Sequence, residues 1–244
     1  MTKTLGLIGA GNIGSALARL AVTAGLDVVL SNSRGPKTLA DLLTELGPRA
    51  RAATPAEAAE LCDLVVATIP LGAYDQLPPA ALAGKTVIDT MNYYPDRDGH
   101  IAELDEGGLT SSALVQRHLA DSKVVKAFNN IDFVRLFTLA RPAGAPDRSA
   151  LPIAGDDAEA KAEATALLDV LGYDAVDIGT LAESWRSQPG TPVYVDPYFT
   201  AKPAKELNQK EMYGWYVQAP GTSVPADRIR ALADSAVRPA PDHA

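Results

Sequence analysis

Short apolar runs alternate along this chain with longer stretches in which apolar residues recur at helical spacing. Leu5, Leu7 and Ile8 read as a buried strand, Ser15 to Ala24 as a helix, and Val28 to Leu30 as a second strand. Pro36 to Leu46 reads as a helix stopped by Gly47-Pro48, and Arg49 to Ala53 as a short strand. Thr54-Pro55-Ala56-Glu57 places a capping hydroxyl before a proline at the first helical position. Asp63 to Ile69 is a continuous apolar strand ended by Pro70, as in a parallel sheet covered on both faces. Lys85 to Asp89 and Lys123 to Phe128 are further strands, with a helix from Ser111 to Ala120 between them. After a turn-rich surface loop over Arg141 to Arg148 come a strand at Leu151 to Ala154, a helix from Asp156 to Leu171 and a strand at Ala175 to Ile178. Asp156 is the expected N-cap of that helix and Gly172 its stop.

Strands alternating with helices in this way predict an α/β fold, a Rossmann-type doubly wound parallel sheet. Beyond Gly179 the pattern changes. Both tryptophans and four of the eight tyrosines fall after residue 184, and such aromatic crowding suits a core or dimer contact. The expected organisation is a Rossmann domain over 1–179 and a smaller α-rich C-terminal extension over 180–244 that caps the substrate or mediates dimerisation. The stretch from Ser235 on, with Pro239, Pro241 and His243, is expected to fray.

The first strand runs into Gly9, Gly11 and Gly14, a G-x-G-x-x-G motif with Asn12 and Ile13 inside it. Strand, glycine turn, helix and second strand fall within about thirty residues, the context that gives the motif its meaning. Gly9 permits the tight turn, Gly11 lets the backbone approach a pyrophosphate, and Gly14 lets the helix pack on the strand. Free N–H groups and the positive end of the helix dipole then face the phosphates. At the end of the second strand, where NAD-binding chains place Asp or Glu, this chain has Asn32-Ser33-Arg34, with Lys37 three residues on. No carboxylate repels a 2′-phosphate there, and Arg34 and Ser33 supply a cation and a hydroxyl for one. The expected cofactor is NADP.

Composition narrows the remaining choices. A formal charge of −8 disfavours nonspecific nucleic-acid binding, so any anionic ligand needs local basic groups. Cys62, the only cysteine, precedes an apolar strand and reads as a small buried hydrophobe. A chain without a disulfide framework fits a reducing cytoplasm. One cysteine and three histidines show no metal-ligand spacing. Glycines and Asn12 interrupt the apolar run after Lys3, against a signal peptide, and no segment is apolar enough to span a membrane.

Ligands of an open parallel sheet sit outside the carboxyl ends of its strands. Those ends are Gly9 to Gly14, Asn32 to Arg34, Thr68-Ile69-Pro70-Leu71, Thr90-Met91-Asn92 and Phe128-Asn129-Asn130. They hold amides, hydroxyls and apolar groups but no His, Cys, Lys or Glu, and Asp89 is the one ionisable candidate among the later ends. Carbonyl reduction generally wants a placed proton donor. Hydride exchange between two planar rings wants positioning and exclusion of water. Lys126 and Asn129 resemble the catalytic pair of β-hydroxyacid dehydrogenases, but that pair lies on a helix. On a strand, positions three apart point to opposite faces. No catalytic residue is assigned. Arg135, Arg186 and Lys202 read as plain surface charges.

Taken in order, Ile8-Gly-Ala-Gly-Asn-Ile-Gly14, Asn32-Ser-Arg34, Thr68-Ile-Pro70, Lys123-Val-Val-Lys-Ala-Phe-Asn129 and Gly155-Asp-Asp-Ala-Glu-Ala-Lys161 resemble the F420-dependent NADP oxidoreductases. Asp89-Thr-Met-Asn-Tyr-Tyr-Pro95 and Gln188-Pro-Gly-Thr-Pro192 resemble bacterial members, and the resemblance covers roughly residues 4 to 199. It implies reversible hydride transfer between the nicotinamide of NADP and the deazaflavin ring of coenzyme F420. It also implies that Thr68, Ile69, Pro70 and Leu71 wall the nicotinamide, with Asn92 and Asn129 near the two rings as ring-positioning residues. Archaeal members carry His where this chain has Asn129.

Two other readings stay open. One is an NADPH-dependent reductase of the same fold with another acceptor, an imine, flavin or quinone. The other is a non-catalytic NADP sensor. The expected partners are a small-molecule redox acceptor and a second copy of the chain in a homodimer, with no nucleic acid and no membrane.

Overall fold

The computed structural model of the chain describes residues 4–201, 203 and 207–238. Eight strands form one sheet: β1 (Thr4–Ile8), β2 (Asp27–Ser31), β3 (Ala50–Ala52), β4 (Leu64–Ala67), β5 (Thr86–Asp89), β6 (Lys123–Lys126), β7 (Ala150–Gly155) and β8 (Asp174–Asp177). Their order is β3-β2-β1-β4-β5-β6-β7-β8. Every pairing is parallel except β6 with β7, which is antiparallel. The expected doubly wound parallel sheet is present, with one antiparallel junction. The chain leaves β6 through Asn129-Asn130 and a short helix, Phe133–Thr138, and re-enters from the same end. The strand order reverses between β1 and β4, which opens a crevice at their carboxyl ends.

Side-chain alternation separates the core into two apolar clusters. Val28, Leu30, Val66, Ile88 and Val125 belong to one, and their strand neighbours Val29, Val65, Val87 and Val124 to the other. Residues one apart on a strand point to opposite faces, so both sides of the sheet are packed. The C-terminal extension shares the first cluster through Val193, Tyr198, Val224 and Ile229. Val224 also accepts the Ala150 N–H of β7 (2.8 Å).

Element boundaries differ from expectation where local geometry intervenes. The Pro36–Leu46 helix is a 3-10 turn over Pro36–Leu39 followed by α-helix over Ala40–Leu46. β4 stops at Ala67, which leaves Thr68-Ile69-Pro70 in the loop, and β6 stops at Lys126 because Phe128 turns to φ 59°. The long Ala158–Leu171 helix is capped by Asp157, whose Oδ1 accepts the Ala160 N–H (2.8 Å). Asp156 instead accepts the Leu181 N–H (2.9 Å) and ties the extension to β7. Gly172 ends that helix in the left-handed region, as expected. Helix Ala226–Asp234 precedes Ser235–Arg238, and the expected fraying at Pro239, Pro241 and His243 lies outside the described residues.

Candidate functional site

At the end of β1 the chain turns over Gly9 and enters helix α1 (Asn12–Thr23) with Gly11 as its N-cap residue. Gly9 has φ 112°, and a Cβ there would stand 2.5 Å from the Thr68 carbonyl oxygen. The Thr68 hydroxyl donates to the Gly9 carbonyl (2.7 Å), and the Thr68 N–H donates to Ile8 (2.8 Å). These bonds pin the turn to the end of β4. A Cβ on Gly14 would lie 2.1 Å from the Gly9 carbonyl oxygen, so only glycine lets α1 pack this closely. A Cβ on Gly11 would meet nothing within 4 Å. That side of the turn is open, and α1 begins with no side-chain cap and no acidic residue in its first turn. Its leading N–H groups and dipole are thus available to an anion.

Two clefts meet over this turn and share Gly11, Thr68, Ile69 and Pro70. The first, about 440 Å³, runs from Gly9 to the end of β2, where Asn32, Ser33 and Arg34 line it. Asn32 shapes that end. Its Oδ1 accepts the Arg34 N–H (3.0 Å) and its Nδ2 donates to the Thr38 hydroxyl (2.8 Å). The Arg34 guanidinium has no partner among the described residues. Lys37, in the 3-10 turn Pro36–Leu39, is exposed and lines neither cleft. Leu71 is fully buried in the second core cluster. The loop after β4 therefore presents Ile69 and Pro70 to the crevice and turns Leu71 inward, so the expected wall is one residue shorter.

The second cleft, about 390 Å³, is lined by Asn12 and Ile13 on the glycine-loop side and by Asn92 and Asn129 at the far strand ends. The two asparagines brace each other. Asn92 Nδ2 donates to the Asn129 carbonyl (2.8 Å), and Asn129 Nδ2 donates to Asn92 Oδ1 (3.1 Å) and the Ser187 carbonyl (2.8 Å). Asn130 Nδ2 donates to Val193 (3.1 Å) and to the Tyr198 hydroxyl (3.0 Å). The amides after β6 thus draw the 187–198 segment over the cleft. Two residues on its wall have positive φ without being glycine, Phe128 at 59° and Val195 at 56°. Val195 is the centre of a γ-turn closed by the Asp196 N–H on the Tyr194 carbonyl (2.6 Å) and held by its own N–H on Asn130 (2.8 Å). A β-branched residue in that conformation is strained.

Sequence reading missed two tyrosines. Tyr94, just past β5, and Tyr194, in the extension, both line the second cleft and join hydroxyl to hydroxyl. Tyr94 had a local signal, two residues beyond Asn92, whereas Tyr194 had none, because it reaches the cleft only through the Asn130 anchor. Arg135 is also corrected. It is buried beside Asp132 (2.8 Å), donates to the Tyr216 and Ala219 carbonyls, and stacks on Phe199 with the guanidinium carbon 4.3 Å from the ring centre. Arg186 is half-buried on Glu183 (2.6 Å), and Lys202 lies outside the described residues. Cys62 is buried, and burial pushes its thiol pKa up, as a small packed hydrophobe requires. No group of three or more metal-ligating side chains occurs among the described residues, and no described helix is long and apolar enough to cross a membrane.

Comparisons with known proteins agree with this geometry. The family model described as NADP oxidoreductase, coenzyme F420-dependent, matches residues 4–93, which carry the glycine turn, the Asn32–Arg34 end and the loop after β4. The crystal structure of the hypothetical protein SMa0349 from Sinorhizobium meliloti is 30% identical, with a TM-score of 0.70 over 80% of this chain and 93% of that one. A protein from Arthrobacter sp. FB24, named as an F420-dependent NADP reductase, is 26% identical, with a TM-score of 0.64 over 75% of this chain and 87% of that one. The protein YjhV of Escherichia coli K12 is 43% identical over 53 residues, a stretch spanning 22% of this chain and 39% of YjhV. With the crevice, the glycine turn and these likenesses together, the chain belongs to the family of coenzyme F420-dependent NADP oxidoreductases.

Proposed function

We propose that this chain transfers a hydride between NADP(H) and the deazaflavin coenzyme F420. The observation that carries the reading is the pair of clefts meeting over Gly11, one ending at an unpartnered Arg34 and the other walled by apolar groups and amides. The residues fit NADP. Gly11 leaves room for a pyrophosphate against the backbone, and the first N–H groups of α1, including those of Asn12 and Ile13, favour its charge. Ser33 and Arg34 hold the 2′-phosphate, and Thr68, Ile69 and Pro70 wall the nicotinamide. When bound, NADPH supplies the hydride. Asn92 and Asn129, locked to each other, give the second ring a fixed edge, and the 187–198 segment keeps water from the reacting faces. The name of the Arthrobacter protein supports F420 as the second molecule.

The test is direct. Protein, NADPH and F420 are mixed and the visible absorption of the oxidised deazaflavin is followed. Its loss, dependent on protein, supports the reading. The Tyr94 and Tyr194 hydroxyls would serve equally well in a second reading, reduction of an imine, flavin or quinone. Turnover with those acceptors alone would select it, and NADPH binding without turnover would point to a sensor. The extension over 180–244 is proposed as the cap of the cleft and as the contact of a homodimer, which the exposed Met212, Tyr213 and Val217 favour. A monomer by sizing chromatography at micromolar concentration would overturn the dimer.

A further inference from the structure

Tyr94 and Tyr194 lie a hundred positions apart in the chain, yet their hydroxyls share a hydrogen bond on the wall of the second cleft. Two hydroxyls carry two hydrogens, and their mutual bond uses one. Neither hydroxyl has another partner among the described residues, so the pair always holds one O–H free to donate elsewhere. Both rings are held firmly. The Tyr94 N–H donates to Asp98 (3.0 Å), the Arg97 guanidinium carbon stands 4.8 Å from the Tyr94 ring centre, and Arg97 also donates to the Asn92 carbonyl (2.8 Å). Tyr194 is fixed by the strained turn at Val195 and its bond to Asn130. Burial, and then the bond to Tyr94, raise the pKa of the Tyr194 hydroxyl, which therefore stays protonated and able to donate. The phosphate-binding turn and the Asn92–Asn129 brace leave this pair without a role.

We infer that the Tyr94–Tyr194 pair is the donor to the heteroatom of the hydride acceptor on which negative charge develops. The inference rests on the proposed reaction and adds to it the group that completes it. A hydride carries two electrons and one proton, so its donor leaves oxidised as NADP⁺ and the acceptor bears one negative charge until a further proton reaches it. The free hydroxyl stabilises that charge by a preorganised hydrogen bond. As it passes its proton to the heteroatom it takes one from the second hydroxyl, which takes one from water, so the charge is balanced without a standing tyrosinate.

The test uses the full chain, NADP⁺, NADPH and coenzyme F420, with Tyr94→Phe and Tyr194→Phe. Binding of F420 to the NADP⁺-loaded protein, a pair that does not react, reads the hydrogen bond without turnover. Each variant is expected to keep NADP⁺ affinity within about twofold and to weaken F420 binding roughly fivefold to tenfold. In single turnover with NADPH the variants are expected to slow by about 10–100-fold and to lose the solvent deuterium isotope effect that wild type shows. A role confined to packing would leave that isotope effect in place. Variants matching wild type in F420 affinity, rate and isotope effect would overturn the inference while leaving the proposed function standing. Wild-type protein that binds NADP⁺ but neither binds nor reduces F420 would overturn both.

Discussion

The Lys126 ammonium lies 2.9 Å from the Asp89 carboxylate, and both side chains are sealed behind the strand ends that form the cleft. Asp89 also accepts the Ser112 hydroxyl (2.7 Å) and the Met91 N–H (2.8 Å), while Lys126 donates to the Met91 carbonyl (2.5 Å). Both polar groups of Met91 are thereby fixed, and Asn92 follows directly. Lys126 touches neither cleft, so its spacing from Asn129 carries no acid–base chemistry. The pair is a buried brace for the site.

Removing one partner of this pair strands the other. Lys126→Met is expected to destabilise the protein by about 3–5 kcal/mol, because Asp89 stays buried without its counter-charge. The double variant Lys126→Met/Asp89→Asn should recover part of that loss. Urea unfolding curves of the single and double variants provide the check.

Gly11 and Gly14 separate binding from folding. Gly11→Ala meets nothing within 4 Å, and its φ of −80° suits any residue, so the melting temperature should move by no more than about 2 °C. Its added methyl group stands where the pyrophosphate would approach, and NADPH affinity should fall at least roughly tenfold. Gly14→Ala meets the Gly9 carbonyl at 2.1 Å and should cost about 1–3 kcal/mol of stability. Thermal melts and NADPH titrations of the two variants distinguish these outcomes.

On the proposed reading, Arg34 sets the choice between the two dinucleotides. If its contact with the 2′-phosphate contributes ~2 kcal/mol, Arg34→Ala weakens NADPH binding roughly 30-fold and leaves NADH binding unchanged. Calorimetric titration with each nucleotide measures the ratio. An unaltered preference for NADPH would refute the assignment.

Alkaline pH should unfold this protein through its buried tyrosines. Burial is the main cause of the raised hydroxyl pKa values of Tyr173, Tyr194, Tyr198 and Tyr216. Below the unfolded-state value of about 10 both states keep these protons, and the stabilisation is complete. Above it only the unfolded chain releases them, so stability falls as pH rises toward the folded values. A fully buried tyrosine contributes up to about 1.4 kcal/mol per pH unit to that decline. Urea midpoints between pH 8 and 11 should drop, and Tyr198→Phe should make the drop shallower.

Much of the dinucleotide half was legible in the chain because its determinants are local. Gly9, Gly11 and Gly14 are fixed by one turn and one helix start, and Asn32 to Arg34 by the end of the adjacent strand. Leu71 follows the cleft residue Pro70 directly in sequence, yet the backbone turns it inward to the second core cluster. Lys37, three residues beyond Arg34, is exposed and lines neither cleft. The acceptor side was less readable because its walls come from segments far apart in the chain.

By itself, the sequence determined the α/β alternation, the glycine turn and a β2 end without a carboxylate, all consequences of short-range periodicity and backbone sterics. Tertiary structure alone decided that β7 runs antiparallel, that Arg135 is buried, and that Tyr194 reaches Tyr94 through the Asn130 anchor. Those outcomes depend on contacts between segments many residues apart, whose register is set by the shared core and the hydrogen bonds at the strand ends.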